Sequence, residues 1–359
     1  MSNYRTGQAS HIGSHRNLLT DLSKVDVGTP GTLDAIVVPT IHPQRVGPAI
    51  ALAKDLGCAI VLLCSTSSQL QEIRKRYSLP SNALLLEVPP GHDHPLLDFG
   101  RRAQEKHTDI ATKRNIGLLL AHLCGWRTIF FLDDDIRGMT ASMIRRAAAL
   151  TEQYPIVGFR VPEFPDNSIV CHAHRASGGA QSTFVGGNAI IVDTFRVVAY
   201  FPDIFNEDWM YMRDAVAAGL VAVAGELRQL PYDPFSRNAA TEEFGDLIAE
   251  ALVRALHSEL DVSSVLFWVD AIEKRSRFLA EVADRIHGRE KEDPVPDRDR
   301  ILARLAEAEE RLREIRPTDC LFFYRAWREN GDIWRRRLRS LPTSLTPHQA
   351  AAYLDLSAA

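Results

Sequence analysis

An α/β sandwich built on a parallel sheet is the fold class predicted for this chain, and three observations predict it. Short apolar runs of strand length alternate with stretches of helix length. The runs are apolar on both faces, as a sheet covered by helices requires, and the helical stretches end at Gly or just ahead of Pro. The strand runs are Ala35 to Val38, Ala59 to Leu63, Ala83 to Leu86, Thr128 to Leu132 and Ile156 to Val161. Between them, Val46 to Leu56 ends at Gly57, Gln69 to Tyr77 stops before Pro80, and Ile110 to Cys124 ends at Gly125. Ligands of such a sheet are expected beyond the carboxyl ends of its strands.

Three regions follow from this pattern. Residues 1–30 are polar and without sustained period, and read as a mobile lead or a surface wrap. Residues 31–241 carry the α/β pattern. From Glu242 the strand signals fade, and residues 242–359 form a mainly helical carboxyl-terminal region. In it Ile301, Leu305, Ala308 and Leu312 make one apolar stripe among Arg and Glu. The stretch from Gly288 to Asp299, with Pro294 and Pro296 among charges, reads as a linker or exposed loop.

Composition narrows the function classes. With 45% apolar residues over 359 positions, the chain can bury a substantial core, which excludes global disorder. The 42 Lys and Arg against 46 Asp and Glu leave a net charge of −4, without the basic excess that a general nucleic-acid binder needs. No apolar run reaches the roughly 18 residues of a membrane helix, and the start lacks an apolar secretion segment, so a cytoplasmic protein is expected. Cys58, Cys64, Cys124, Cys171 and Cys320 are odd in number and scattered, which suggests reduced, mostly buried thiols rather than disulfides or a zinc cluster.

The most informative segment is Thr128-Ile-Phe-Phe-Leu-Asp-Asp-Asp-Ile136, an apolar strand that runs straight into three carboxylates. Asp133 and Asp135, two apart at a strand end, can point into one cleft, where a divalent cation would neutralise their repulsion. Mg2+ or Mn2+ suits such hard oxygen ligands, with diphosphate oxygens and water completing the shell. The alternative is a capping cluster for a helix starting near Met139. Just upstream, Thr112-Lys-Arg-Asn-Ile-Gly117 opens a helix whose Lys113 and Arg114 could reach phosphate oxygens or form a solvated basic turn. Gly186 and Gly187 precede a strand and would let the backbone approach a ligand closely, or make an ordinary turn. Glu207 and Asp208 open a helix running to Gly219; they could serve its dipole, or Asp208 could act as a general base toward an acceptor hydroxyl.

In this order and context the motifs resemble a nucleotide-sugar glycosyltransferase of the GT-A fold, a Rossmann-like α/β/α sandwich. The resemblance is closest to the large inverting family that includes cellulose and chitin synthases, and covers roughly residues 34 to 235. It implies that Val37-Val-Pro-Thr40 forms the first strand and nucleotide loop, that Lys113-Arg-Asn-x-Gly117 lies beside the donor, and that Asp133-Asp-Asp135 is the Asp-x-Asp metal motif. It further implies that Glu207-Asp208 is the Glu-Asp pair whose second member is the base. Donor contacts are then expected from Pro39, Thr40, Arg45, Ser65, Lys113, Arg114, Asn115, Asp133 and Asp134, and acceptor or sugar contacts from Gly186, Gly187, Asn188 and Trp209. The metal, Mn2+ or Mg2+, would sit on Asp135 and Asp133, and the donor would be a UDP-, GDP- or dTDP-sugar. The strand before Ser65 ends without the acidic residue that usually binds the base in this family. The Gln-x-x-Arg-Trp motif and membrane helices of its synthases are also missing, which points to a single addition to a small-molecule or peptide acceptor.

Fainter signals complete the reading. His172 and His174 alternate in what reads as a strand, facing either solvent or a ligand. Asp233 lies in a Pro-flanked segment that is either a turn or a return to the metal. The run Phe322 to Arg328 and Trp334 to Arg337 reads as a core-facing aromatic stripe with a basic outer face, or a surface for an anionic acceptor or sugar rings. The helical region could cover the acceptor site, mediate a homodimer or cap the sheet. Competing functions are a retaining GT-A enzyme acting on a small phosphorylated acid, a nucleotidyltransferase, and a non-catalytic nucleotide-sugar-binding protein.

Overall fold

The computed structural model describes residues 14–25, 28–98, 109–162, 168–180, 183–258, 260–288 and 295–357. The chain enters along a sheet edge as β1 (Thr20–Asp21), paired in parallel with Ala222 and Val223, so this part of the polar lead wraps the sheet. Next come β2 (Ala35–Thr40), α1 (Gly47–Leu56), β3 (Ala59–Cys64), α2 (Ser67–Arg76) and β4 (Ala83–Glu87), then α3 (Ile110–Cys124) and β5 (Thr128–Leu132). Gly57 and Gly125 end α1 and α3 in the left-handed conformation, both at φ 71°, where a side chain would be strained.

After β5 the short β6 (Ile136–Arg137) leads to α4 (Ala141–Leu150) and β7 (Ile156–Arg160). Next follow α5 (Ile169–Ala176), β8 (Ala189–Asp193), α6 (Glu207–Ala217), β9 (Val221–Glu226) and β10 (Arg228–Gln229). The eight-stranded sheet has the order β1-β9-β7-β8-β5-β2-β3-β4. It is not wholly parallel, because β8 runs antiparallel to both β5 and β7. That reversal positions the site: the start of β8 lies against the end of β5, with Leu132 opposite Ala189. A separate two-stranded ribbon pairs β6 with β10.

Alternate strand residues enter different cores, as a pleated strand dictates. Ile36, Val38, Ile60, Leu62 and Phe130 pack with α1, α2 and α4 on one face. Val37, Val61, Leu63, Phe131 and Val192 pack with α3 and the later helices on the other. A Cβ at Gly117 would come within 2.8 Å of Val37 and 3.0 Å of Phe131, so this glycine lets α3 lie close on the sheet.

The carboxyl-terminal helices are α7 (Ala240–Leu256), α8 (Val265–Gly288), α9 (Arg298–Glu314), α10 (Pro317–Ser340) and α11 (Pro347–Tyr353). They continue the second core rather than forming a separate one. Ile301, Leu305, Ala308 and Leu312 are all buried, and on α10 Phe323, Trp327 and Trp334 face inward while Phe322 is left outside. α8 carries the start of the stretch expected as a linker to its end at Gly288, and residues 289–294 of that stretch lie outside the described residues. No helix among the described residues is long and apolar enough to cross a membrane.

Inside this layer Arg275 of α8 is buried and donates to three carboxylates of α7: to Glu243 twice at 2.8 Å, to Asp246 at 2.8 Å and to Glu250 at 2.9 Å. Burial pushes the Glu243 carboxyl up, and the Arg275 charge opposes that. Replacing Arg275 with Met leaves these acids without their cation, and the variant is expected to lose about 3–5 kcal/mol at pH 8. An acid raised in the folded state, as Glu243 is by burial, stabilises the fold below its unfolded pKa of about 4 and loses that contribution as pH rises, so the deficit should shrink toward pH 5. Urea unfolding of both proteins at the two pH values measures it.

Candidate active site

Three carboxylates meet three different partners at the end of β5. The Asp133 amide donates to the Asn188 carbonyl at 2.8 Å, which continues the β5–β8 pairing past both strand ends. Its carboxylate accepts Arg114 Nη2 on both oxygens, at 3.0 and 3.2 Å. Asp134 accepts the hydroxyl of Thr40, and Asp135 accepts Gln229 Nε2 at 2.9 Å. Burial raises Asp133 to about 6, with the Arg114 charge opposing and the Asp135 charge adding to the rise. Burial also raises Asp135, against the Gln229 hydrogen bond. The helix that follows starts at Ala141 and is capped by Thr140, whose side chain accepts the Met143 amide at 3.2 Å, so the triplet is not its cap.

This electrostatic strain is what a divalent cation would relieve. Among the described residues no group of three or more His, Cys, Asp or Glu is gathered to hold a metal. Asp133 and Asp135 offer two carboxylates, the number Mg2+ commonly takes from a protein when substrate oxygens and water complete its shell, and of the two Asp133 is engaged by Arg114.

On α3, each residue of the Lys113 to Gly117 motif is buried and engaged. Lys113 donates to Ser65 Oγ at 2.8 Å, to the Thr40 carbonyl at 3.2 Å and to Asp109 at 2.8 Å, tying the ends of β2 and β3 to the helix. Arg114 bridges Asp133 and Glu207, with its guanidinium 5.7 Å from the Phe201 ring. Asn115 makes reciprocal 2.8 Å hydrogen bonds with the Phe201 backbone. These residues are buried, so the motif is not a solvated basic turn; its charges hold strand ends and the α6 approach together. Pro39 and Thr40 are buried in β2, and Ser65 also donates to Asp109 at 2.6 Å. Arg45 is half-buried, its charge acts on Asp135, and no salt bridge engages it among the described residues.

Gly186, Gly187 and Asn188 form the opposite wall. The Gly187 amide donates to Asp208 Oδ2, and a Cβ there would lie 2.7 Å from Asp208 Cβ and 2.8 Å from Arg114 Nη1. A Cβ on Gly186 would sit 3.4 Å from the same Asp208 oxygen. Asp208 Oδ1 accepts the Trp209 amide at 2.9 Å. Glu207, buried on Arg114, is pushed up by that burial and by the Asp208 charge, against the pull of Arg114. Asn188 is 7% exposed, and its Oδ1 is buried without a partner. Trp209 faces inward, stacked on Phe184 at 4.5 Å between ring centroids, and offers no open face.

Several residues depart from the sequence expectation. His172 and His174 lie on α5, not on a strand, because a three-residue apolar run capped by Ser168 suits a helix equally well. They diverge: His172 pairs with the Tyr232 hydroxyl at 2.8 Å, while His174 accepts Arg285 at 2.8 Å. Asp233 faces outward, accepting the Phe235 amide at 3.0 Å and pairing with Arg300 at 2.5 Å, so it is the turn residue. Two site residues were missed. Gln229 reaches Asp135 only because β10 pairs with β6, and no local pattern announces that contact. Arg137, whose signal was its place two residues past the triplet, donates to the carbonyls of Asp134 at 2.8 Å and Ile136 at 2.7 Å.

Gly187→Ala tests the closeness of this wall. The added methyl must displace Asp208 or Arg114, and a loss of about 1–3 kcal/mol in urea unfolding is expected.

Neither protein-family models nor curated proteins match the chain. Among solved structures it is similar to a mannosyltransferase from Pyrobaculum calidifontis in complex with GDP-Man and Mn2+, at 13% identity and a TM-score of 0.44, over 89% of this chain and 91% of that one.

Proposed function

We propose that the chain is a metal-dependent glycosyltransferase that moves one sugar from a UDP-, GDP- or dTDP-sugar to a hydroxyl of a small-molecule or peptide acceptor, with inversion. The observation that carries this reading is the Arg114 bridge. One guanidinium holds both Asp133, at the end of the acidic strand, and Glu207, the neighbour of Asp208, which brings the proposed metal ligand and the neighbour of the proposed base together. The GT-A resemblance of the same motifs supports it.

In this reading Asp133 and Asp135 hold the cation, which when bound supplies positive charge against the leaving diphosphate. Arg45, half-buried and close enough for its charge to act on Asp135, would add positive charge against the same diphosphate. Asp208 takes the proton of the acceptor hydroxyl. Its carboxylate is fixed by one backbone amide on each oxygen, from Gly187 and Trp209, so it is oriented before substrate arrives. The unpartnered Asn188 oxygen is an acceptor for a sugar or acceptor hydroxyl. A base held in this way supports inversion over retention.

Thermal shift against a panel of nucleotide-sugars, with and without Mn2+, is the first test; a donor at about 100 times its dissociation constant adds about 2.7 kcal/mol of stability. Asp135→Ala is expected to abolish the metal-dependent part of donor binding. Asp208→Asn is expected to keep donor binding and to lower transfer about a hundred- to ten-thousandfold. Retained transfer in Asp208→Asn removes that residue from the role of base.

A further inference from the structure

We infer that His15, in the polar lead ahead of the sheet, is a positioning residue for Asp208, acting through the 183–187 loop and Trp209. The inference rests on the proposed role of Asp208.

His15 is 1% exposed. Its amide donates to the Thr183 carbonyl at 2.8 Å, and its Nδ1 accepts the Val185 amide at 3.2 Å. Its ring lies 4.9 Å from the Trp209 ring and 5.7 Å from Phe184, between centroids. The two amides that fix the Asp208 carboxylate come from Gly187 and Trp209. His15 therefore contacts the bearers of both: the loop two residues before Gly187, and Trp209 itself. The segment is anchored on either side, by the Ser14 carbonyl accepting His257 Nε2 at 2.7 Å and by β1 in the sheet.

An Nδ1 that accepts requires a neutral imidazole with its proton on Nε2. Burial lowers this histidine to about 3, with the nearby His257 adding to the effect, so the ring stays neutral at working pH. His15 touches neither Asp208 nor any reacting atom. Its role is to hold the loop at the register that aims the Gly187 amide at the carboxylate, where a displacement of about 1 Å can cost a hundredfold in rate.

Two variants separate the hydrogen bond from the packing. His15→Phe keeps an aromatic ring and loses the acceptor, whereas His15→Asn places an oxygen near the Nδ1 position. Hydrogen exchange and steady-state kinetics are read on the full-length chain. In His15→Phe the amides of Val185 and Gly187 should exchange faster while those of β2 and β5 do not, and kcat should fall about ten- to a hundredfold with unchanged donor affinity by calorimetry. His15→Asn should recover loop protection and most of kcat. Unchanged exchange at 183–187 in His15→Phe overturns the inference, as does a His15→Asn variant no better than His15→Phe. If His15→Phe does not fold, His15→Asn decides alone, since loss of loop protection despite its acceptor overturns the claim. Absence of transfer by the unaltered protein with every donor defeats the proposed function, whereas exchange still reports whether His15 holds the loop.

Discussion

A single buried guanidinium fixes the relation between the two halves of the candidate site. Arg114 sits on α3, which packs over β2 and β5 in the middle of the sheet, and shares its donors between Asp133 and Glu207. An arginine in this place answers a double requirement: its planar fork spans two carboxylates that lie on separate elements, and its charge offsets the cost of burying them. Burial lowers the proton affinity of Arg114, but the charges of Asp133, Glu207 and Asp208 raise it by more, so the guanidinium keeps its charge. The rest of the motif serves the same end. Lys113 ties β2 and β3, Asn115 holds the backbone at Phe201 on the approach to α6, and Gly117 brings the helix within reach.

Much of this was legible along the chain because it is written in neighbouring residues. Five strand runs and the full span of α3 follow from apolar runs and their Gly or Pro stops, since burial on both faces leaves a local signature. The three aspartates announce themselves because charges seldom end a buried strand. Contacts made only by tertiary pairing left no such trace. The antiparallel course of β8, the reach of Gln229 to Asp135 and the seat of His15 behind Trp209 each join segments far apart in sequence. That the basic pair at 113 and 114 is buried was not legible, because a buried and a solvated cation look alike in sequence.

One acid of the helical layer fastens the start of α6. Asp246 accepts Arg275 at 2.8 Å, Asn206 Nδ2 at 2.8 Å and the Ser168 hydroxyl. Asn206 starts α6 from the left-handed region at φ 60°, a conformation that Asn tolerates better than most residues. The residue that opens the helix bearing Glu207 and Asp208 is therefore fastened to α7, and α7 to α8.

The sequence separations at the site have a consequence for how the chain reaches its native state. Thr40 to Asp134 spans 94 positions, Arg114 to Glu207 spans 93, and Val185 to His15 spans 170. Closing such long loops is entropically costly before the contacts reward it. The β2-to-β4 unit can assemble from short-range pairings while the cleft does not yet exist.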